Sequence, residues 1–349
     1  MPFFRDIIGQ DRGVKILQSF LEREAYPPAL LFVGREGIGK KAIAHAFAQA
    51  LFCQDRERSG GSEKGLIEPC GRCLSCRKVI DKNHPDLSMI EPDGKVIKID
   101  QIRALEDKII FKPIEGDKQV ILIDPADRMN TAAANGLLKT LEEPPPYVVM
   151  ILIASKPASF PETLLSRCQK ISFSPISPSQ MALILKEKRE WTSEEARLVA
   201  TLAGGRIGEA LSMEVETAKA LEEERNALVS EETLRHYENL FEVAAHSSRD
   251  ADVMEKPLSY LMEWFRDVLA VQSLPDPTQS APSRLAYSWR YEALRQWAGR
   301  MRPDEVWKFL EEIHEIRMAQ SRNINRQLAL ETLLIKLRDI LGGNRLEVS

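Results

Sequence analysis

The chain has 349 residues, of which 44% are hydrophobic and 29% are charged, and its formal net charge at pH 7 is −4. This length suits two or three domains that each bury a core, and it excludes a single small domain. The negative charge argues against a protein that holds nucleic acid tightly by itself, because that affinity comes largely from Lys and Arg on phosphates. The sequence has neither a run of 18 apolar residues nor a signal-peptide pattern, so we predict a cytoplasmic protein with no membrane partner.

A glycine-rich loop follows the first apolar strand, at 29–33. The loop reads GREGIGKK and leads into an alanine-rich helix. In a P-loop, small residues let backbone N–H groups surround a phosphate chain, and a lysine reaches the outer phosphates. The residues that fit this pattern are Gly34, Gly37, Gly39 and Lys40. The next residue should be Ser or Thr, whose hydroxyl ligates Mg²⁺, but it is Lys41.

The second half of a phosphate site would be a buried strand that ends in acidic residues. The apolar run at 119–123 is followed by Asp124, which is the expected metal-organising carboxylate. In ATPases of this kind the next residue is a glutamate that activates the attacking water, whereas here it is Pro125. The sequence therefore predicts a nucleotide site that has lost its catalytic groups. Binding of ATP or ADP at Lys40 without turnover stays open at this stage.

Four of the five cysteines are close together in sequence. They are Cys53, Cys70, Cys73 and Cys76, and the last three form a Cys-x2-Cys-x2-Cys pattern. Four thiolates satisfy tetrahedral Zn²⁺ with no open position, and a reducing cytosol disfavours disulfides. A vestigial site without metal and a redox pair are the alternatives, but neither explains the polar excursion at 55–68. We predict a structural zinc ion, with Cys168 outside the cluster.

Short apolar strands alternate with helical patterns in the first half of the chain. The strands are predicted at 29–33, 87–90, 119–123, 148–154 and about 170–173. This alternation indicates an α/β fold with a parallel five-stranded sheet. Beyond it the helical period takes over, and we expect Trp264, Trp289, Trp297 and Trp307 to be core or helix-contact residues. The predicted domains are 1–173 with a zinc module at about 53–76, a three-helix lid domain at 174–230, and a C-terminal helical collar and oligomerisation domain at 231–349.

The order of P-loop, cysteines and acidic strand resembles that of bacterial clamp-loader subunits of the AAA+ family. The stretch at 132–145 looks like the signature helix of that family, and Ser166-Arg167-Cys168 matches its Ser-Arg-Cys motif. Ser155 stands where the family carries sensor 1, and 323–334 is similar to its collar-domain helix. The resemblance covers nearly the whole chain.

Departures from the family pattern concern ATP hydrolysis. Active motor subunits carry Ser or Thr where this chain has Lys41 and Glu where it has Pro125. They also carry a sensor 2 arginine at the position of Gly208, and Arg206 lies two residues too early. Arg167 is intact, and in this family that residue serves as an arginine finger for the nucleotide of a neighbouring subunit. The resemblance thus implies a rather rigid, largely non-hydrolysing subunit at one end of a ring.

The resemblance also implies partners. They would be the gamma/tau motor subunits and delta in a hetero-pentamer of DNA polymerase III and, as part of that complex, the beta sliding clamp and primer-template DNA. One alternative is an active gamma/tau-like ATPase of the same ring, which Lys41 and Pro125 disfavour. Another is an unrelated P-loop enzyme or a stand-alone zinc protein that binds nucleic acid, which the acidic charge disfavours.

Overall fold

The computed structural model describes residues 3–58, 65–274, 285–287, 290–319 and 324–341. Within these ranges the chain forms two compact units. The first extends to Ser177 and includes Ala203–Ser212, and the second comprises Pro178–Leu202 and the described residues from Met213 onward. Parts of three predictions lie outside the described residues: 59–64 of the zinc module, Trp289, and Asn323 of the collar helix. None of the described helices is both long enough and apolar enough to cross a membrane.

The first unit alternates strands and helices. Its elements are α1 (Asp11–Arg23), β1 (Ala29–Val33), α2 (Lys40–Phe52), β2 (Glu57–Arg58), β3 (Ile67–Glu68), α3 (Leu74–Ile80), β4 (Leu87–Ile90), α4 (Ile99–Ile109), β5 (Gln119–Ile123), α5 (Thr131–Glu142), β6 (Val148–Ala154), α6 (Glu162–Leu165) and β7 (Gln169–Ser172). The helices α7 (Pro178–Arg189) and α8 (Ser193–Leu202) belong to the second unit, whereas α9 (Ile207–Ser212) returns to the first.

The main sheet has the strand order β4-β5-β6-β1-β7, and all its neighbouring strands are parallel. The predicted parallel five-stranded fold is confirmed, and the last strand lies one residue earlier than expected. The short strands β2 and β3 form a separate antiparallel pair. Because parallel strands end at the same edge, the loops after β1, β4, β5 and β6 lie together, which positions the candidate site.

Side chains of the central strands alternate between two apolar cores. On β5, for example, Val120 and Leu122 pack with α1 and α2, whereas Ile121 and Ile123 pack with α4 and α5. All seven residues of β6 are buried. Continuous Val, Ile and Leu runs are typical of strands that are covered by helices on both faces. This explains why these central strands could be predicted from their apolar sequence.

The second unit is helical in its described residues. After α7 and α8 it contains α10 (Val215–Ala227), α11 (Glu231–Arg235), α12 (Tyr237–Ser247), α13 (Ala251–Gln272), α14 (Tyr291–Arg300), α15 (Pro303–Ala319) and α16 (Arg326–Leu341). Trp264 and Trp297 are buried in its core, as expected. Trp307 is 57% exposed, so of the two expected roles the core position is excluded, and its indole N–H donates to Glu311 on the same helix. The predicted boundary at residue 230 stays a prediction.

Gly13 on α1 gives a stability test of the first unit. A Cβ at this position would lie 2.3 Å from Cε1 of Phe173, whose buried ring packs against Phe32. Gly13→Ala is therefore expected to lower stability by about 1–3 kcal/mol through overpacking, although alanine favours helix more than glycine does. Scanning calorimetry would measure the change in melting temperature.

Gly299 on α14 provides the matched control. No described atom lies within 4 Å of a Cβ built there. Gly299→Ala should therefore stabilise the second unit by up to about 1 kcal/mol through helix propensity alone. A Gly13→Ala protein that melts at or above the temperature of the unaltered chain would show that α1 does not pack closely on Phe173.

Candidate nucleotide and metal sites

The loop between β1 and α2 depends on its glycines. Gly37 and Gly39 have φ angles of +79° and +98°, in the left-handed region that other residues adopt at a cost. A Cβ on Gly34 would lie 2.6 Å from the carbonyl oxygen of Phe173. The backbone thus requires small residues at these three positions, and α2 begins at Lys40 directly after them.

Lys40 turns its ammonium into the loop. Its Nζ donates to the carbonyl oxygens of Gly34 at 2.6 Å and Arg35 at 2.7 Å, and it lies 3.4 Å from Oγ of Ser155. The residue is only 6% exposed. Burial lowers the pKa of Lys40, and the charge of Asp124 is the largest effect that opposes this shift. The ammonium that reaches phosphates in a working P-loop is here bonded to the loop itself.

Lys41 lies between two carboxylates. Its Nζ is 2.6 Å from Oε1 of Glu91 and 3.3 Å from Oδ2 of Asp124. Burial acts to lower the pKa of Lys41, but the hydrogen bond with Glu91 and the charge of Asp124 outweigh it, and the pKa is raised. Burial raises the pKa of Asp124, although Lys41 opposes that shift. A protein cation thus neutralises the carboxylate that would organise a metal ion.

The carboxylate of Asp127 accepts hydrogen bonds from the backbone. Its Oδ2 accepts hydrogen bonds from the backbone N–H groups of Ser155, at 3.1 Å, and Lys156, at 2.9 Å. These bonds fix the chain where it leaves β6 and keep Ser155 near Lys40. Because this carboxylate is committed to two N–H groups, it is poorly suited to replace the missing base at Pro125.

These residues surround a cavity of about 650 Å³. Its charged lining includes Glu36, Lys40, Lys41, Asp124, Asp127 and Arg128. The cavity brings together the predicted glycines Gly37 and Gly39, both lysines, Asp124 and Ser155. Acidic and basic groups nearly balance, and the two lysines already have oxygen partners. A phosphate chain would have to displace the bonds that Lys40 makes to the loop.

The start of α9 lies against the glycine-rich loop. A Cβ on Gly37 would lie 3.2 to 3.3 Å from the aliphatic stem of Arg206, and one on Gly208 would lie 3.7 Å from the carbonyl oxygen of Gly37. The guanidinium of Arg206 binds Glu209 and the carbonyl oxygen of Ala203. Arg206 thus contacts the loop through its stem, while its charge is satisfied within its own segment.

The four clustered cysteines meet at one point. Their sulfur atoms all lie within 4.8 Å of one another, so the residues chosen from their spacing, Cys53, Cys70, Cys73 and Cys76, are brought together. Backbone N–H groups donate to three of the sulfurs: Cys70 N to Cys53 at 3.2 Å, Cys73 N to Cys70 at 3.4 Å, and Cys76 N to Cys73 at 3.4 Å. N–H donors favour thiolates, and a four-thiolate set suits tetrahedral zinc.

The thiol groups also interact directly. The thiol of Cys76 has the largest effect on Cys53 and lowers its pKa, and the thiol of Cys53 in turn raises the pKa of Cys76. Cys168 behaves differently because it packs at the edge of an apolar core, where burial raises its pKa to about 11. The cluster is suited to hold a metal ion, and Cys168 is a packing residue.

Buried hydrogen bonds attach the cysteine segment to the N-terminal residues. The side chain of Gln18 donates to the carbonyl oxygen of Ile67 at 3.2 Å and accepts from its N–H at 2.7 Å. The carboxylate of Glu68, which is 2% exposed, accepts from the N–H groups of Phe4 at 2.9 Å and Arg5 at 2.7 Å. Since Ile67 and Glu68 form β3, just before Cys70, order at the cysteines supports order near the N-terminus.

Arg167 lies apart from the cavity, between α6 and β7. Its Nη1 donates to the carbonyl oxygen of Thr163 and its Nη2 to Oε1 of Glu142, both at 2.8 Å. Its side chain is 34% exposed. The neighbouring Ser166 hydroxyl donates to the same Thr163 carbonyl at 3.1 Å. The motif thus presents one partly exposed guanidinium on an anchored turn.

Two carboxylates that bind predicted site residues were missed from the sequence. Glu91 follows β4 directly, and an acid at the end of a parallel strand next to β5 was a readable signal. Glu142 is 25 residues from its partner Arg167, and no local pattern predicts such a pair.

Comparison with known proteins gives matches over most of the chain. A family model described as "DNA polymerase III, delta subunit" matches residues 9–177. The DNA polymerase III subunit delta' of Bacillus subtilis is 29% identical over 95% of this chain and 96% of its own length. The subunit delta' of Pseudomonas aeruginosa is 27% identical over 92% of this chain and 94% of its own length.

The tau subunit of the same polymerase is matched less completely. That of Bacillus subtilis is 31% identical over 60% of this chain, and the match spans only 37% of the tau sequence. The delta' relatives are therefore the ones that correspond from end to end. The chain is thus similar to DNA polymerase III delta' subunits over nearly its whole length.

Proposed function

We propose that this chain is the delta' subunit of a bacterial DNA polymerase III clamp loader and acts there as a largely non-hydrolysing scaffold. The observation that carries the proposal is the ammonium of Lys41, 3.3 Å from Asp124. A motor subunit needs Mg²⁺ near this carboxylate to bridge the β- and γ-phosphates. The end-to-end match with delta' relatives supports the same function.

The missing hydrolytic groups are replaced by groups with structural uses. Lys41 stands where a hydroxyl would ligate the metal, and Pro125 stands where a carboxylate would activate water. Asp127 is bonded to the backbone at the end of β6. ATP or ADP binding in the cavity without turnover is compatible with this arrangement and forms no part of the proposed function.

We infer that Arg167 serves as an arginine finger in trans. Its guanidinium is partly exposed on an anchored turn, and its own chain's cavity lacks the groups that such a residue assists. A guanidinium against the γ-phosphate of an adjacent subunit offsets the charge that develops in the transition state. Ser155, at the sensor 1 position, remains part of the degenerate nucleotide site.

The proposed partners follow from the family. They are gamma/tau motor subunits and delta in a hetero-pentamer, with the beta sliding clamp and primer-template DNA engaged by the whole complex. The formal charge of −4 suits a subunit that shares the binding of DNA with others. Such a subunit would work in the bacterial cytosol.

The proposed metal is zinc, held by the four clustered cysteines. Zinc bound by four thiolates has no open position and supplies folding energy to the segment that carries it. This segment in turn holds Phe4 and Arg5 through Glu68, and α1 through Gln18.

The zinc proposal predicts one equivalent of zinc in protein purified without added metal, measured by elemental analysis. Cys70→Ser should lose the metal, loosen the cysteine segment and leave the main sheet folded. Hydrogen exchange should become faster at the N–H groups of Phe4 and Arg5, because their acceptor Glu68 moves with that segment. It should also become faster at the N–H of Ile67, which lies in the segment and donates to Gln18 on α1.

Cys168→Ser serves as the control, because this cysteine packs in the core and should keep full zinc content. A zinc content below roughly a few tenths of an equivalent, with all four clustered thiols freely reactive, would contradict the assignment.

The hydrolysis proposal predicts no ATP turnover by the isolated chain. Loss of a single group of this kind typically reduces turnover by orders of magnitude. Phosphate release measured at steady state should stay at background and should be the same for Lys40→Ala. The double variant Lys41→Thr with Pro125→Glu should recover little, because Gly208 leaves no sensor 2 arginine at its position.

A steady turnover that Lys40→Ala abolishes would instead support the alternative function, an active gamma/tau-like motor subunit of the same clamp loader. The tau match over 60% of the chain is the observation behind that alternative.

The finger proposal predicts that Arg167→Ala slows ATP turnover at one motor site and slows clamp loading in the reconstituted complex. Arginine fingers are worth about 10³ to 10⁵ in rate at their site. Folding, zinc content and assembly should be nearly unchanged. Arg167→Lys should rescue poorly, because an ammonium lacks the planar fork.

Arg235→Ala is a suitable control, since Arg235 is also an exposed arginine paired with a carboxylate, Glu231. A complex with Arg167→Ala that hydrolyses ATP and loads clamps at the normal rate would show that Arg167 has no role in trans.

A further inference from the structure

Glu142 occupies an electrostatically unfavourable place. It is the last residue of α5, and Glu143 and three prolines follow it. The C-terminal carbonyl groups of a helix carry partial negative charge, so carboxylates there are destabilising and basic residues are favoured. Helix stability alone therefore does not account for an acid at this position. A partner outside the helix does, and that partner is Arg167.

The contact with Arg167 fixes the guanidinium at two points. Glu142 accepts from Nη2, while the carbonyl oxygen of Thr163 accepts from Nη1, each at 2.8 Å. These bonds use two of the five N–H groups of an arginine and leave its charge intact. The orientation of the planar guanidinium is therefore fixed before a phosphate binds.

The pair contributes little to stability, because both of its side chains are substantially exposed, at 34% for Arg167 and 53% for Glu142. Its effect lies in orientation. The backbone beneath Arg167 is already anchored, since Leu164 is fully buried and Cys168 packs at the core. What remains free is the long side chain, and Glu142 restricts it.

We propose that Glu142 is the positioning residue of Arg167. Its carboxylate holds the guanidinium in the orientation that a phosphate of the neighbouring subunit meets, and it does so without touching that phosphate. This inference rests on the proposed role of Arg167 as an arginine finger. Arginine preserves much of its binding geometry through its rigid fork, so the loss of one anchor reduces the rate while leaving some activity.

A double-mutant cycle in the reconstituted complex tests the inference. The variants are Glu142→Ala, Glu142→Gln, Arg167→Ala and the combination of Glu142→Ala with Arg167→Ala. Glu142→Ala should lower kcat at the affected site on the order of tenfold with an unchanged KM for ATP, because misplacement of a catalytic group acts on the transition state. Glu142→Gln should retain most of the rate, since its amide oxygen still accepts from Nη2. The combined variant should match Arg167→Ala alone.

Glu143→Ala is the matched control, because Glu143 is an exposed carboxylate one residue away at the same helix end. It should leave kcat unchanged while removing one negative charge next to the end of α5. Melting temperature and zinc content, measured for every variant, separate a folding defect from a catalytic one. Should Glu142→Ala fold poorly, comparison of Glu142→Gln with a charge-retaining Glu142→Asp variant carries the test.

The outcomes distinguish the two proposals. If Arg167→Ala is slow and Glu142→Ala is as fast as the unaltered chain, the positioning role is wrong while the finger stands. If the combined variant is slower than Arg167→Ala alone, Glu142 acts through another group and the inference is overturned. If Arg167→Ala itself has the normal rate, the proposed function of Arg167 fails first.

Discussion

The position of Lys41 between Asp124 and Glu91 is the interaction on which the proposed function depends. Two acidic residues follow adjacent parallel strands, β4 and β5, and so lie at one edge of the sheet. Like charges at such an edge need a cation, which in a phosphate-binding enzyme is a bound metal ion. Here the cation is part of the chain. Most of the charge repulsion at this edge is therefore offset without any ligand, because the ammonium of Lys41 pairs with both carboxylates.

Charged side chains are also bonded to the chain's own backbone in the glycine-rich loop and in the cysteine segment. Lys40 bonds to the loop carbonyls, Asp127 bonds to two backbone N–H groups, and Glu68 bonds to two more near the N-terminus. Each is a charged group bonded to backbone atoms, and such bonds are stronger than those between neutral groups. These bonds tie loops to strand ends, and they support the proposed role as a scaffold.

Sequence reasoning succeeded where the cause is local. Continuous apolar runs predicted the central strands β1, β5 and β6, because helices cover both faces of the sheet there. The spacing of Cys70, Cys73 and Cys76 predicted a sulfur cluster because one turn brings such residues together. It failed where the cause is a distant partner. The hydrogen bonds of Lys40, the ion pair of Glu142 and the exposure of Trp307 depend on which surfaces meet, and no short window of sequence contains that information.

The contrast between Lys40 and Arg167 links these observations. Lys40 is 6% exposed, and moving its ammonium toward a ligand would break short bonds to carbonyl groups that would then lack a donor. Arg167 is held by an exposed ion pair of the kind that is worth about 0–1 kcal/mol, and its remaining N–H groups can bind a phosphate while Glu142 stays in place. The chain thus buries the ammonium of Lys40 and leaves the guanidinium of Arg167 partly exposed at its surface. A guanidinium that can bind a further anion at small cost suits the proposed action of Arg167 on a neighbouring subunit.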